Sequence, residues 1–249
     1  MLAPMFESMR SFWLAMARAT DGGSALELPG VWAAVVPALP GRSVVNCVVY
    51  EDAPALEAAL PDLAEAYDGA GVRAWTVWVH ESDADTQSAL AAAGHVLDAA
   101  PMGQELELDR VERPADADLE LASDPTTADW DPIVAASYGW PGFAAAVPAF
   151  PHGFHPYMAL HDGSAAACLG IWDHGDDAHV QLVATAPEAR RRGLASRLLL
   201  HALADARDRG CTISRLQATA MGQPVYARLG YRDVGRVQMW ERRKPASRE

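Results

Sequence analysis

The sequence predicts an α/β protein (α+β, with mixed sheets) of two lobes, each with a central sheet flanked by helices. Three observations support this prediction. Apolar runs of strand length alternate with helical segments; both halves end in the order strand, helix, strand, helix, strand; and a polar, proline-containing segment at 110–118 separates them. The 249 residues suffice for two small domains. We expect domains at 1–112 and 118–243, and a disordered tail at 244–249.

Each element of the first half has a local signal. Phe6, Met9 and Trp13 recur at helical spacing, and charged residues interrupt their apolar run, which predicts an amphipathic helix rather than a secretory signal. Pro54 suits the first turn of a second helix. Short apolar runs between the helices predict strands. The expected elements are helices at 4–19, 54–68 and 82–93, and strands at 31–36, 44–50, 73–79 and 102–108.

The second half has the same kinds of signal. Asp124 or Thr126 suits the start of a helix, and Gly210 and Gly230 each follow a helical segment and would end it. The expected helices are at 126–138, 193–208 and 223–229, with a short one after 140. The expected strands are at 119–122, 157–161, 165–172, 178–185, 213–219 and 231–241.

Composition excludes several classes of function. The net charge of −13 argues against general nucleic-acid binding, and no apolar run approaches the ~20 residues of a membrane span. The scattered cysteines, Cys47, Cys168 and Cys211, indicate reduced, buried thiols in a cytoplasmic protein. Charge is uneven: residues 1–117 carry six arginines against eighteen acidic residues, whereas 118–249 carry fourteen basic and fifteen acidic residues. Only the second half would accept a polyanionic ligand without strong repulsion.

The most informative segment is Arg190-Arg-Arg-Gly-Leu-Ala-Ser196, where an apolar strand gives way to a helix. A helix start offers unpaired backbone N–H groups and the positive end of the helix dipole. Gly193 would let a ligand approach the backbone closely, and three arginines add positive charge. This pattern predicts a site for a diphosphate, as found in nucleotide-like cofactors.

Two motifs of the second half resemble those of the GNAT acetyltransferase superfamily. The first is Arg190-Arg-Arg-Gly-Leu-Ala195 at a strand-to-helix turn, preceded by Pro187. The second lies about thirty residues later, where a helix carrying Tyr226 runs into Leu229-Gly-Tyr231. The resemblance covers roughly residues 118–240, and the first half resembles a degenerate tandem copy.

The resemblance implies that acetyl-CoA binds as a co-substrate. Its pantetheine arm would pair with the backbone of Leu182, Val183 and Ala184 as a neighbouring strand does. A free N–H at a bulge in that strand would stabilise the oxyanion. Tyr226 matches the tyrosine that protonates the departing thiolate. The residues that would hold the diphosphate are Arg190, Arg191, Arg192, Gly193, Leu194, Ala195 and Ser196.

The general base is left open. His179 and Gln181 alternate onto one face of the strand beside the expected thioester. The ordinary pKa of a histidine, near 6.5, suits a base, yet surface histidines on strands are common. An aromatic loop at 139–156 either forms a wall of the acceptor site or covers the core. No metal is expected, because the acidic and histidine residues at 173–177 lie in a glycine-containing turn where polar residues are normal.

The first half is not expected to bind coenzyme A. Its equivalent helix start has neither glycine nor arginine and carries Glu51, Asp52 and Glu57. Carboxylates there would satisfy the helix dipole and repel phosphate. This half would instead shape the substrate cleft or the pairing of the lobes.

These observations predict an acetyl-CoA-dependent N-acetyltransferase that transfers an acetyl group directly to a primary amine. A small-molecule amine is favoured over a protein tail, with nucleic acid and membrane excluded and a homodimer left open. Two alternatives remain: a non-catalytic acyl-CoA-binding regulatory module, and a structural scaffold with no affinity for coenzyme A.

Overall fold

The computed structural model describes residues 3–115 and 119–244. Contacts divide these residues into two compact units. The first contains the chain up to Met102 together with the segment from Gly235 onward, and the second is Gly103–Val234. Residues 245–249, where we expect a disordered tail, lie outside the described residues.

The elements follow one another in a mixed order of helices and strands. They are α1 (Ala3–Ala19), β1 (Ser24–Leu28), β2 (Val31–Val35), β3 (Cys47–Tyr50), α2 (Ala53–Gly69), β4 (Ala74–His80), α3 (Ala84–Ala92), β5 (Val96–Ala99), β6 (Met102–Glu107), β7 (Glu120–Leu121), α4 (Thr127–Tyr138), α5 (Phe143–Ala146), β8 (Phe154–His161), β9 (Ser164–His174), β10 (Asp177–Thr185), α6 (Leu194–Asp208), β11 (Ile213–Ala218), α7 (Gln223–Arg228) and β12 (Arg232–Arg243). None of the described helices is long and apolar enough to cross a membrane.

The sheet of the first unit runs in the order β1-β2-β3-β4-β12, with β5 on the other side of β12. Strands β1 to β3 are antiparallel, β3 and β4 are parallel, and β12 is antiparallel to both β4 and β5. A core of buried apolar side chains, including Leu56, Leu63 and Trp75, joins α2 to this sheet. The Asp52 carboxylate caps α2 by accepting a hydrogen bond from the Ala55 backbone N–H at 2.9 Å.

The sheet of the second unit runs in the order β6-β11-β10-β9-β8-β7. Strands β7 to β10 are antiparallel, and β10 is parallel to β11. Trp130 of α4 contacts the ring of Phe154, whereas His201 of α6 contacts Tyr157. Phe154 and Tyr157 are an odd number of residues apart on β8, so α4 and α6 cover opposite faces of this sheet.

The predicted fold class is confirmed: mixed sheets are flanked by helices in both units. Two strands, β1 and β5, were not expected from the sequence, because both are short and neither contains a buried apolar run. The unit bounds also differ from the expected division at 112 and 118. The last strand pairs with β4 and β5 in the first unit, and residues 103–115 group with the second unit.

Candidate active site

Strand β10 contains a bulge directly before the basic turn. Gln181 and Ala184 pair with Gly170 and Cys168 of β9, so β10 has one extra residue in this interval. Leu182 adopts a φ of +55°, in the left-handed region that residues other than glycine rarely occupy. The bulge takes part of the backbone out of the regular ladder. The bulge that the resemblance implies for this strand is therefore present, between Gln181 and Ala184.

Strands β10 and β11 separate next to the bulge. Their register pairs Asp177 with Ile213 and His179 with Arg215, and among the described residues it does not continue beyond that point. The rest of β10, from Gln181 to its end, is paired with β9 alone. The other edge of this part of β10 therefore has no neighbouring strand in the described part of the chain. An extended ligand can pair with such an edge as an additional strand.

Two side chains at the end of α4 hold the bulged segment. The Tyr138 hydroxyl donates a hydrogen bond to the Val183 carbonyl at 2.6 Å, and the Ser137 hydroxyl donates to the Thr185 carbonyl at 3.2 Å. Tyr138 was missed by sequence reasoning, because nothing local connects a helix end to a strand some 45 positions away.

The basic turn leads into α6 without a side-chain cap. Gly193 occupies the N-cap position with a φ of +75°, and no side-chain hydrogen bond caps this helix start. By contrast, Asp83 caps α3, and Thr126 and Asp129 form a capping box at α4. The first N–H groups of α6 are thus left for an external acceptor.

The three arginines of the turn are exposed, and none forms an ion pair with a carboxylate in the described part of the chain. Arg191 has a φ of +64°. The Arg190 Nε donates to the Thr185 carbonyl at 3.3 Å, and Arg197 donates to the Arg192 carbonyl at 3.0 Å. These two bonds brace the turn between β10 and α6, and the guanidinium groups leave positive charge beside the uncapped helix start.

Tyr226 lies on α7 and is half-buried. Its ring contacts that of Tyr231 with centroids 5.8 Å apart. Burial raises the pKa of Tyr226 to about 12, so its hydroxyl is protonated throughout the neutral range. A protonated phenol is the form that can donate a proton to a thiolate.

His179 is fully buried, in contrast to the surface histidine considered from the sequence. Burial, together with the positive charge of Arg215, lowers the pKa of His179 to about 3. Its Nε2 lies 3.4 Å from the Gln217 amide nitrogen. The ring is therefore neutral at neutral pH, and a pKa this low makes it a weak proton acceptor.

The other candidate groups lie apart from one another. Among the described residues, no three histidine, cysteine, aspartate or glutamate side chains form a group that could hold a metal. Asp173 pairs with Arg209 at 2.6 Å, and Asp177 pairs with Arg215 at 3.3 Å. Cys168 is fully buried, and burial raises the pKa of its thiol to about 12.

The aromatic side chains of the loop at 139–156 form two separate groups. Trp140 and Phe143 are buried. Phe150 stacks on Phe154 with ring centroids 5.1 Å apart, and both contact Trp130 of α4. The Phe150–Phe154 pair lies on the same sheet face as α4.

The family model described as "Acetyltransferase (GNAT) family" matches residues 119–231, the range that holds the bulge, the basic turn and Tyr226. These residues belong to the GNAT acetyltransferase family. Membership supports acyl-CoA-dependent acetyl transfer in general. Among curated proteins, none matches this chain in sequence.

Solved structures resemble the chain over nearly its whole length. A GCN5-related N-acetyltransferase from Kribbella flavida is 16% identical, with 96% of this chain and 95% of that chain covered and a TM-score of 0.67. A putative acetyltransferase of the GNAT family from Novosphingobium aromaticivorans is 19% identical, with 93% and 97% covered and a TM-score of 0.60. A tandem GNAT protein from the clavulanic acid biosynthesis pathway is 17% identical, with 97% of both chains covered and a TM-score of 0.57. At these identities the likeness concerns the fold.

Proposed function

We propose that this protein is an acetyl-CoA-dependent N-acetyltransferase that transfers an acetyl group directly to a primary amine of a small molecule. One observation carries the proposal. The strand that separates from β11 after His179 continues through a bulge into the uncapped, arginine-flanked start of α6. An open strand edge and an anion-binding helix start, joined by a few residues, match a ligand with an amide-containing arm and a diphosphate.

The residues present fit coenzyme A at both of its ends. The diphosphate would accept hydrogen bonds from the backbone N–H groups of Gly193, Leu194, Ala195 and Ser196, where no side chain caps the helix. The guanidinium groups of Arg190, Arg191 and Arg192 would add charge-assisted contacts. The amides of the arm would pair with the backbone of Leu182, Val183 and Ala184 along the open edge of β10.

Acetyl-CoA would supply an activated acetyl thioester. The acceptor amine, in its neutral form, would attack the carbonyl carbon, and the C–S bond would break. The proton lost by the amine nitrogen would pass to solvent, from which Tyr226 would regain the proton that it gives to the sulfur. A backbone N–H of the bulge would donate to the carbonyl oxygen as negative charge develops there. Tyr226 would give its hydroxyl proton to the departing sulfur.

His179 is the candidate base among the predicted catalytic residues, and its burial and lowered pKa argue against that role. If it accepts the amine proton, His179→Gln should lower kcat steeply and shift the acid limb of the pH–rate profile. A variant with an unchanged profile would remove His179 from the mechanism.

The first unit would not bind coenzyme A. Its α2 helix start is capped by the Asp52 carboxylate, so the N–H groups that a phosphate needs are partly engaged and the local charge is negative. With eighteen acidic residues against six arginines in residues 1–117, this part of the chain would attract a cationic acceptor.

The proposal is tested by titrating coenzyme A into the wild-type protein and into the Arg191→Glu and Gly193→Glu variants in a calorimeter. We expect binding by the wild type and at least a tenfold loss in each variant, because both place a carboxylate beside the diphosphate site. No binding by the wild type would leave the structural-scaffold alternative. Thiol release from acetyl-CoA over a panel of primary amines then tests catalysis, and binding without turnover would favour the regulatory module.

A further inference from the structure

Gln181 occupies the point at which β10 and β11 separate. It is the next residue after His179 on the same strand face, and the last β10–β11 pair joins His179 to Arg215. His179 pairs with Trp172, which pairs with Phe154, so Gln181 and His179 face the side covered by α4. Gln181 is also the residue directly before the bulge at Leu182.

The Gln181 amide is buried and incompletely satisfied. The residue is 7% exposed, and its Nε2 has no hydrogen-bond partner among the residues that the structure describes. Buried polar groups in native proteins are nearly always paired, so the Gln181 amide requires a partner that the described residues do not provide.

Arg215 and Asp177, on the same sheet face as Gln181, belong to a cluster of paired charges. Arg215 pairs with Asp177 at 3.3 Å and with Glu105 at 3.2 Å, and Arg232 also pairs with Glu105. These charges cancel within the cluster. The neighbouring His179 is neutral and contacts the Gln217 amide. A ligand at this point would therefore meet an amide and not an ion.

On the β9 side of Gln181, an aromatic ring covers the sheet surface. Gly170 pairs with Gln181 across β9 and β10, and a Cβ added at Gly170 would lie 1.8 Å from the Phe154 ring. The Phe154 ring thus fills the space above Gly170, stacked against Phe150. A ligand here would be oriented by one hydrogen bond to the Gln181 amide and by apolar contact with the Phe154 ring.

We propose that Gln181 is a specificity-determining residue that binds a hydroxyl group on the acceptor, which makes the acceptor class hydroxylated primary amines such as amino alcohols and amino sugars. A hydroxyl can accept from the amide nitrogen or donate to the amide oxygen, so it satisfies a glutamine in either orientation. The inference rests on the proposed acetyltransferase function and specifies its substrate class.

The test compares two amines of nearly equal size, ethanolamine and propylamine, as acceptors with saturating acetyl-CoA. The wild type should show a kcat/KM about tenfold or more higher for ethanolamine, because a site built to bind a hydroxyl rejects an analogue without it. In Gln181→Met, which keeps the side-chain length and removes the amide, the preference should fall to less than about threefold. The matched control is Gln87→Met in α3, whose amide donates to the Glu81 carbonyl in the first unit, and it should keep the wild-type preference.

The outcomes separate this inference from the proposed function. Turnover of neither amine, nor of any other in the panel, would overturn the proposed function itself. Turnover without a preference in the wild type, or a preference that survives in Gln181→Met, would overturn only the role of Gln181. Coenzyme A affinity equal to that of the wild type shows that Gln181→Met is folded. If Gln181→Met fails to fold, the preference of the wild type and its loss in the shorter Gln181→Asn variant decide the question.

Discussion

At the scale of single residues, two tyrosines near the bulge differ in what their hydroxyl groups do. The Tyr138 hydroxyl is engaged with the Val183 carbonyl at 2.6 Å and so fixes backbone geometry. Tyr226 is half-buried on α7, and burial alone raises its pKa to about 12. We assign Tyr138 a positioning role and Tyr226 a proton-donating role.

Removing the Tyr226 hydroxyl should slow the chemical step. In Tyr226→Phe we expect kcat to fall about 100-fold or more with the KM for acetyl-CoA little changed, because the departing thiolate loses its proton donor. Steady-state thiol release measures both constants. Tyr231→Phe is the matched control: its hydroxyl bonds to Ser214 at 2.7 Å, so its loss should lower stability and leave kcat within a few-fold. An unchanged kcat in Tyr226→Phe would contradict the assignment.

Removing the Tyr138 hydroxyl should loosen the bulge. In Tyr138→Phe we expect kcat to fall about tenfold, since the backbone N–H that we propose as the donor to the thioester carbonyl would lose its fixed position. Calorimetry should show coenzyme A affinity reduced only a few-fold, because the diphosphate site is separate. Tyr157→Phe, whose hydroxyl accepts from Arg209 at 3.1 Å on the opposite sheet face, should behave as wild type. Equal effects of the two variants would argue against a positioning role for Tyr138.

At the scale of elements, the two parts of β10 differ in how they pair with neighbouring strands. Its first part is regular and pairs on both sides, with buried polar side chains at Asp177 and His179. Its second part is bulged, pairs on one side and is held by the end of α4. The change occurs at Gln181, opposite Gly170, where the Phe154 ring replaces a side chain.

A side chain at Gly170 should disturb this junction. We expect Gly170→Ala to lower the free energy of unfolding by about 1–3 kcal/mol, because the new methyl group would collide with the Phe154 ring. Urea denaturation measures the change. Gly69→Ala at the end of α2 is the control, since an added Cβ there has no heavy atom within 4 Å, and it should be neutral or slightly stabilising. A Gly170→Ala variant as stable as the wild type would show that the Phe154 ring can move aside without lowering the free energy of unfolding.

At the scale of the whole molecule, the chain returns to its first unit after completing the second. The segment from Gly235 to Arg243 pairs with β4 over seven residues and with β5 on its other side. The first unit therefore depends on a strand encoded at the opposite end of the chain. Each unit also holds a buried histidine whose ring is neutral: His95 in the first and His179 in the second.

Loss of the last strand should affect the first unit. A chain ending at Val234 would lose the neighbour of β4 and β5 and expose the apolar core around Trp75. We expect the backbone amides of β4 to lose their protection from hydrogen exchange. Adding back a peptide of residues 235–249 should partly restore protection. Full protection of β4 in the truncated chain would contradict the dependence.

The two buried histidines should make the protein less stable in acid. Burial lowers the pKa of His95 to about 4 and that of His179 to about 3. Below the ordinary value near 6.5 the unfolded chain binds protons that the native state does not, so stability falls as the pH is lowered from about 6.5 towards 4. Each histidine contributes about 1.4 kcal/mol per pH unit in that window.

Urea denaturation at about pH 7 and about pH 5 measures this dependence. His95→Gln should reduce the pH dependence of the first unit, and His179→Gln should reduce that of the second. Stability that rises on acidification across this window would contradict the burial of the two rings.

Local sequence patterns were sufficient to predict the fold class, the position of the basic turn and the helix that carries Tyr226. These features depend on local patterns: apolar periodicity, a glycine at a helix start and charged residues adjacent in the chain. Helix α6 begins at Leu194, directly after the glycine that the sequence singled out. Strands β1 and β5 were beyond such reasoning, since each is only four or five residues long and has no buried apolar side chain.

The residues that meet where β10 and β11 separate come from distant parts of the chain, and packing brings them together. Tyr138 reaches Val183 from another element, and the sequence contains no periodicity that relates the two. The neutral state of His179 and the orphan amide of Gln181 follow from burial, which depends on what α4 and the neighbouring strands place over them. The pairing of the last strand with β4 of the first unit likewise depends on contacts between distant segments. Local sequence specifies elements, whereas contacts between distant segments are set by packing, and the chemistry at this site depends on those contacts.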